Sequence, residues 1–328
     1  MTSIGISLKS MISYTKNIIL VSLTLLLCLA IITVPGSSSQ GVAKGLGYCL
    51  NILIPSLFPF MFMASFIVKA DLFQKFQKVF SALTKLLFYL PGCTAPTIFL
   101  SLIGGYPVGA RGIKSLLENK QINHEQENRM TCFCVNAGHA FIIGVVGSTL
   151  LNNTFYGILI FTVQIITSLL IGLLCALKAR ASKEPFYFKK ENSNSTNPKT
   201  SSAIISSCEE ASKSMFVMCA LVVIFSSFIS ILQDFNVLSL ISDNFMKVGI
   251  PKSESLTILT SLLEITYGCA EAARLHTMPA IISFALGYGG MCVHLQITAI
   301  LSQAQFNYRK FIIFRLFNGI ISSALTYT

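Results

Sequence analysis

Two stretches of this sequence decide its fold: PGCTAPTIFLSLIGGYPVGAR, from Pro91 to Arg111, and LTILTSLLEITYGCAEAAR, from Leu256 to Arg274. Each stretch is largely apolar, is interrupted by residues that disfavour a continuous helix, and ends at an arginine. Interrupted backbone at membrane depth is tolerated only where protein or a water-filled cavity covers it. Interrupted apolar segments at corresponding places in the two halves of a membrane chain therefore indicate the binding site of a transporter.

The composition places the chain in a membrane. It has 328 residues, of which 53% are hydrophobic and 11% are charged, whereas a soluble domain has about 25% charged residues. A helix of about 20 apolar residues crosses the hydrocarbon core of a bilayer. Apolar stretches occupy residues 17–34, 48–68, 130–151, 155–177, 215–232, 278–302 and 310–327. The sequence therefore predicts an all-α polytopic membrane protein with about seven to eight transmembrane helices.

The distribution of Lys and Arg predicts an inverted repeat with two re-entrant hairpins. Short loops rich in these residues stay in the cytoplasm. Four basic residues lie on each side of the segment Leu86–Gly105, so we expect it to enter and leave on the cytoplasmic side, with its turn at PGCTAP. The same rule makes Leu256–Arg274 a hairpin that enters from the outside. With three crossings and one hairpin in each half, the second half is inverted relative to the first.

This topology divides the chain into four parts. Residues 1–47 form an N-terminal helix and an outer loop, and we expect the helix to be retained, because its apolar run is longer than the core of a cleaved signal peptide. Residues 48–182 form the first repeat and residues 214–328 the second. Residues 183–213 connect them as a polar cytoplasmic linker.

The two arginines that end the interrupted stretches are candidates for binding an anion. A guanidinium group matches a carboxylate with two parallel hydrogen bonds. For Arg111, a charge that only sets topology is an equal alternative. Arg274 lies on the outer side in this topology, where positive charge is disfavoured, so we prefer a binding role there, with an ion pair to Glu271 as the alternative.

Two histidines lie at comparable places in the two halves, His139 in CVNAGHAFIIG and His294 in GYGGMCVHLQ. Asn136 and Gln296 lie close to them in sequence and add hydrogen-bonding groups. A role in binding and a purely structural interior role are equal alternatives for these histidines, and either could carry a coupled proton.

Glu264 is the most deeply membrane-embedded acid of the sequence. Ionisable groups within a bilayer are costly and are candidates for function by default. We expect Glu264, together with Glu271, to couple transport to a cation or a proton, and an ion pair with Arg274 is the alternative. The predicted binding set consists of Arg111, Arg274, His139, His294, Asn136, Gln296, Tyr106, Gly104 and Gly105.

Other classes of function fit the sequence poorly. It has no GxxxxGK[ST] motif for nucleotide binding, and no acid pair, Ser/His set or HExxH motif at the spacing an enzyme needs. The pair Cys132 and Cys134 has no second Cys/His pair at zinc-finger spacing, so we expect neither a metal nor a cofactor. The net charge of +11 comes from basic residues in loops, which topology explains better than nucleic-acid binding does.

Four runs, in the order ILIPSLFPFMF, LIGGYPVGARG, CVNAGHAFIIG and LGYGGMCVHLQ, resemble the YlbJ-type sporulation integral membrane proteins. The resemblance covers residues 50–323, and GGYPVGA and GGMCVHLQ are its most specific pieces. It implies membership of the nucleoside-recognition Gate domain superfamily, which is similar in plan to concentrative nucleoside transporters with inverted repeats and paired hairpins.

The resemblance also implies a role in late sporulation, with dipicolinic acid as cargo moving from the mother cell into the forespore across the outer forespore membrane. The first stretch has glycines, Tyr106 and Arg111 where nucleoside transporters offer amide and acidic side chains, which makes a neutral nucleoside doubtful. The expected partners are a small anionic solute, a coupling cation or proton, and membrane lipid, and an oligomer is compatible with the sequence. A non-transporting membrane scaffold and a transporter of a nucleoside or another small solute stay open as alternatives.

Overall fold

The computed structural model describes residues 28–70, 74–187, 200–302 and 306–327, so most of the predicted first helix lies outside the described residues. The described part of the chain contains helices and short connections without a β-strand. Four helical stretches in it are long and apolar enough to cross a bilayer: Pro35–Ile67, Thr154–Ala181, Thr200–Asp234 and Pro279–Ile300. The protein is therefore an all-α, multi-pass membrane protein, as its composition predicts.

The first half begins with one long helix, in which α1 (Pro35–Tyr48) continues through a π-helical segment (Cys49–Leu53) into α2 (Ile54–Lys69). The elements that follow are α3 (Gln74–Phe88), a 3₁₀ turn (Gly92–Thr94), α4 (Ala95–Gly104), α5 (Tyr106–Glu118), α6 (His124–Phe133), a π-helix (Ala140–Leu150) and α7 (Thr154–Ala181).

The second half repeats this order of elements: a long helix, a short helix, a helical hairpin, a broken helix and a closing helix. Its elements are α8 (Thr200–Asp234), α9 (Val237–Met246), α10 (Lys252–Leu263), α11 (Ile265–Arg274), α12 (Pro279–Tyr288), α13 (Gly290–Ile300) and α14 (Tyr308–Tyr327).

The long helices that begin the two halves run in opposite directions. The Oγ atoms of Ser38 and Ser227 lie 3.0 Å apart, whereas at the other end Lys69 donates to the backbone carbonyl of Ser206 at 2.7 Å. Residue numbers thus rise along one helix as they fall along the other. Two halves that share one element order and begin with antiparallel helices have the geometry that an inverted repeat requires.

The first hairpin turns at Gly105, later in the chain than PGCTAP. A β-carbon on Gly112 would lie 2.6 Å from Thr97 Cγ2, so α4 and α5 pack side by side in opposite directions. Gly105 has φ +98°, a conformation that a residue without a side chain adopts at little cost. At PGCTAP the chain only bends, by 97°, between residues 80–88 and 92–104. The prediction of the turn at PGCTAP is therefore wrong, because proline and a 3₁₀ turn redirect the chain there without reversing it.

The second hairpin is formed by α10 and α11 and turns at Glu264. A β-carbon on Gly268 would lie 2.5 Å from the Cα atom of Ser261, so the two helices are in close contact beside the turn. This hairpin contains the predicted stretch Leu256–Arg274 and begins four residues earlier, at Lys252.

The helix that follows each hairpin is broken. In the first half, residues 134–138 are non-helical between α6 and the π-helix. In the second half, Gly289 separates α12 from α13 and has φ +93°. The apolar stretches 130–151 and 278–302 are therefore discontinuous helices, which membrane proteins tolerate where neighbouring protein satisfies the freed backbone groups.

Candidate functional site

The turns of both hairpins, the first helix break and the helix that follows the second break line one cavity. Gly105 and Tyr106 come from the first hairpin, Glu264 and Thr266 from the second, and Gly138 from the first break. The second broken helix contributes Cys292, Val293 and Gln296. The cavity volume is about 40 Å³, which is room for a few water molecules. A solute larger than that requires the hairpins to move before it can bind.

Glycines let each hairpin turn approach the break that follows it. A β-carbon on Gly138 would lie 3.0 Å from the backbone nitrogen of Gly105. In the second half, a β-carbon on Gly290 would lie 2.6 Å from the backbone carbonyl of Ser261. The same contact thus forms twice, and it explains why glycines are found beside both breaks.

Glu264 lines the cavity and also begins α11. Its side chain is 1% exposed, and its two oxygens accept hydrogen bonds from the backbone N–H groups of Thr266 at 3.0 Å and Tyr267 at 2.6 Å. The carboxylate therefore caps the N-terminus of a helix, where negative charge is favoured. The ion pair with Arg274, which the sequence left as the alternative for Glu264, is not formed.

Tyr106 is buried at the turn of the first hairpin and lines the cavity together with Gly104 and Gly105. Its hydroxyl donates to the carbonyl of Leu286 at 2.7 Å, so it connects the first hairpin with the second broken helix. These three residues of the predicted binding set do lie together at the cavity.

Arg111 lies beside a different cavity, of about 100 Å³, which Lys69, Ser65 and Glu210 also line. Its Nη1 donates to the backbone carbonyl of Glu210 at 2.9 Å and lies 3.4 Å from that residue's carboxylate. Lys69 forms an ion pair with the same carboxylate at 2.9 Å. Glu210 on α8 thus connects the end of α2 with the second helix of the first hairpin.

Arg274 lies near the open end of the second hairpin, ten residues after Glu264 in sequence, and its side chain is 66% exposed. It donates to both carboxylate oxygens of Glu271, at 3.0 and 2.6 Å. Neither Arg274 nor Arg111 lines the central cavity, and the two have separate acidic partners. The structure therefore does not bring these guanidinium groups together around one ligand. Arg274 forms the ion pair with Glu271 that the sequence left as the alternative.

His139 and Asn136 form hydrogen bonds that hold the first broken helix in place. The Nδ1 atom of His139 lies 3.0 Å from the carbonyl oxygen of Ile103 in the first hairpin, and its ring packs edge-on against Phe60. Asn136 donates to the carbonyl of Phe133 and accepts from Ser168 at 2.7 Å. Neither residue lines the cavity as the structure stands.

His294 and Gln296 lie on α13 and differ in their surroundings. The Nε2 atom of His294 lies 3.0 Å from the carbonyl oxygen of Tyr288, while its Nδ1 is buried without a hydrogen-bonding partner. Gln296 lines the cavity. Of the two, Gln296 has direct access to a ligand there.

Arg315 on α14 is the residue that the sequence analysis missed. It is fully buried, and it has the largest side chain among the fully buried residues described. The rule that ionisable groups within the bilayer are functional candidates singled out Glu264. Applied to the last apolar stretch, residues 310–327, the same rule would have found Arg315.

Among curated proteins, the chain is similar to the sporulation integral membrane protein YlbJ of Bacillus subtilis (strain 168). The two are 22% identical over 335 residues, which cover 95% of this chain and 82% of YlbJ. No protein-family model matches the chain, and no solved structure matches it. The resemblance to YlbJ-type sporulation membrane proteins that the four runs indicate is thereby confirmed.

Proposed function

We propose that this protein acts in sporulation as a membrane transporter of a small organic dianion, and that the cargo is dipicolinic acid, carried into the forespore across the outer forespore membrane. The likeness to YlbJ, whose name describes a sporulation integral membrane protein, supports the role in sporulation. Transport rests on one observation: the turns of two hairpins and parts of both broken helices converge on one cavity. Secondary transporters place their binding sites at such convergences.

The lining of the cavity favours a flat solute with an apolar face. Leu53, Leu57, Phe141, Met218 and Val222 form its walls, and apolar walls with few polar groups are typical of small-molecule sites. Dipicolinate is a pyridine ring with two carboxylates, so its ring faces suit these walls. A nucleoside carries many hydroxyl and amide groups, which these walls would leave without hydrogen bonds.

Two features of the structure favour an anion. The helix α5 begins at Tyr106, so the N-terminal end of a helix, which favours negative charge, lies at the cavity. In the neighbouring cavity the cations Lys69 and Arg111 share the single carboxylate of Glu210. An excess of positive charge on the route to a binding site raises the local concentration of anions.

Reconstituted vesicles test this proposal. Purified protein in lipid vesicles should take up labelled dipicolinate, whereas labelled uridine should enter no faster than it enters protein-free vesicles. Uridine uptake without dipicolinate uptake would replace the proposed cargo by a nucleoside. Vesicles that take up neither solute under an imposed proton or sodium gradient would contradict transport and favour a scaffold.

A further inference from the structure

Arg315 is a positive charge in the interior of the membrane-spanning part of the protein. It lies eight residues into α14, within the last apolar stretch, and its side chain is 0% exposed. A guanidinium group at membrane depth is costly unless the protein provides partners for it. The identity of those partners therefore indicates what the charge is for.

The partners of Arg315 are carbonyl groups of both broken helices. Its Nε donates to the carbonyl of Tyr288 at 3.2 Å and its Nη2 to the carbonyl of Leu286 at 3.1 Å. Its Nη1 donates to the carbonyl of Val135, within the break of the first half. The last carbonyls of a helix have no donor within that helix, so one guanidinium satisfies backbone groups that the breaks leave free in both halves.

In secondary transporters, such freed carbonyls and helix C-termini coordinate the coupling cation. The C-terminal end of α12 carries partial negative charge, which a cation stabilises. Arg315 places a covalently attached cation at this position, where its planar group can reach three carbonyls at once.

Arg315 has no ion-pair partner within the part of the chain that the structure describes. The carboxylate of Glu264, which also lines the cavity, caps α11 and forms no ion pair with Arg315. The guanidinium carbon lies 5.6 Å from the centre of the Tyr106 ring, and Tyr106 lines the cavity. The positive charge thus lies next to a residue of the cavity wall.

We propose that Arg315 is a built-in cation, which occupies the place of a coupling ion between the two broken helices and makes the cavity selective for anions. The second part, the selectivity for anions, rests on the proposed function. The first part, the cation between the broken helices, concerns the structure alone. An uncompensated charge in a low-dielectric interior acts over a longer distance than one in water, so contact with the cargo is not required.

A chemical-rescue experiment tests the first part without any transport. Arg315→Ala leaves space for a free guanidinium ion, and Arg309→Ala, an exposed residue on the same helix, is the matched control. Millimolar guanidinium should raise the melting temperature of purified Arg315→Ala and leave the wild type and Arg309→Ala unchanged, while sodium should have no such effect. An equal shift in all three proteins, or no shift in folded Arg315→Ala, overturns the built-in cation.

Uptake by vesicles tests the second part. Arg315→Gln removes the charge but keeps a hydrogen-bonding side chain, and we expect the KM for dipicolinate to rise about tenfold because the cavity loses its positive potential. Arg315→Lys keeps the charge and should change the KM much less. Uptake by Arg315→Ala should be lost and should return when guanidinium is added. An unchanged KM in Arg315→Gln overturns the selectivity role, and this variant decides the matter if Arg315→Ala does not fold.

The two proposals can fail separately. If the wild-type protein takes up no dianion, the proposed function and the selectivity role both fail, while the melting experiment still decides whether Arg315 acts as the cation between the helices. If the wild type takes up dipicolinate and Arg315→Gln does so with the same KM, only the selectivity role fails.

Discussion

Arg111 and Arg274 are residues of one type at similar places in two hairpins, but their surroundings differ. Arg111 is largely buried, and its Nε atom has no hydrogen-bonding partner. Arg274 is mostly exposed and is paired with Glu271 on its own helix. This pair joins an exposed guanidinium to a carboxylate that is only 10% exposed, and it contributes about 0.5–1 kcal/mol to stability. The two arginines should therefore make different contributions to transport.

We expect Arg111→Ala to lower dipicolinate uptake and Arg274→Ala to leave it near the wild-type rate. Loss of Arg111 leaves Glu210 with Lys69 alone and removes a cation from the cavity beside the first hairpin. Arg274→Ala should lower the free energy of unfolding by about 1 kcal/mol, because it leaves the largely buried carboxylate of Glu271 without its partner. Initial uptake rates in vesicles measure the difference. Equal losses of uptake in the two variants would instead support a shared role of both arginines in binding the cargo.

Glu264 has two roles that one substitution can separate, because Gln keeps a side-chain oxygen for the helix cap and removes the charge. Glu264→Gln should fold, with a loss of about 1–3 kcal/mol in the free energy of unfolding, because one of the two capped backbone N–H groups loses its acceptor. Its uptake should no longer respond to an imposed proton or sodium gradient. Glu271→Gln is the matched control, since Glu271 pairs with Arg274 and does not line the cavity. If uptake by Glu264→Gln still responds to the gradient, Glu264 does not couple transport to the ion.

At the scale of elements, close backbone approach decides how the hairpins pack. A β-carbon on Gly109 would lie 1.7 Å from the carbonyl oxygen of Cys134, which is backbone and cannot rotate away. A β-carbon on Gly268 would lie 2.5 Å from the Cα atom of Ser261. Contacts below 3 Å with backbone force helices apart, so both hairpins depend on glycine at these positions.

Gly109→Ala and Gly268→Ala should each destabilise the protein by about 1–3 kcal/mol, the range for overpacking in a closely packed interior. Gly144→Ala is the control, because a β-carbon there meets nothing within 4 Å. Thermal unfolding in detergent would show lower melting temperatures for the first two variants and an unchanged or higher value for the third. Wild-type stability in Gly109→Ala would contradict the close packing of α5 against the first break.

Some of these elements follow from the sequence, and others do not. The interruption in each half and the second hairpin are visible in the pattern, because Gly, Pro and charged residues break apolar runs. The turn at Gly105 was missed, since two prolines and a glycine at PGCTAP give a stronger local signal. The pairing of Arg315 with Val135, Leu286 and Tyr288 depends on contacts between distant segments, which no local pattern contains.

At the scale of the whole molecule, the small cavity implies that cargo binding requires a change of shape. A volume of about 40 Å³ does not hold dipicolinate, so the cavity must widen before this cargo can bind. Hydrogen bonds connect the closing helix α14 with its neighbours: Asn318 donates to Ser168 on the closing helix α7 of the first half, and Thr326 donates to Ser283 on α12. We infer that these helices form the fixed part and that the hairpins, which meet at the cavity, form the moving part.

The inverted repeat makes a prediction about which ends of the hairpins face which side of the membrane. Asn119 follows the first hairpin and His276 follows the second, and both are exposed. The positive-inside rule places the open end of the first hairpin in the cytoplasm, and inversion then places the open end of the second outside. In a background without the native cysteines, a membrane-impermeant thiol reagent added to intact cells should label His276→Cys and leave Asn119→Cys unlabelled.

Asn119→Cys should become reactive once the membrane is permeabilised, which serves as the control for expression and accessibility. Labelling of both positions in intact cells, or of neither, would place the two open ends on the same side. The two halves would then have the same orientation, and the antiparallel contact between the long helix of α1 and α2 and the helix α8 would need another explanation. Such a result would also contradict the two-fold relation between the two broken helices. Arg315, which donates to Val135 and Leu286, would then no longer connect equivalent elements of the two halves.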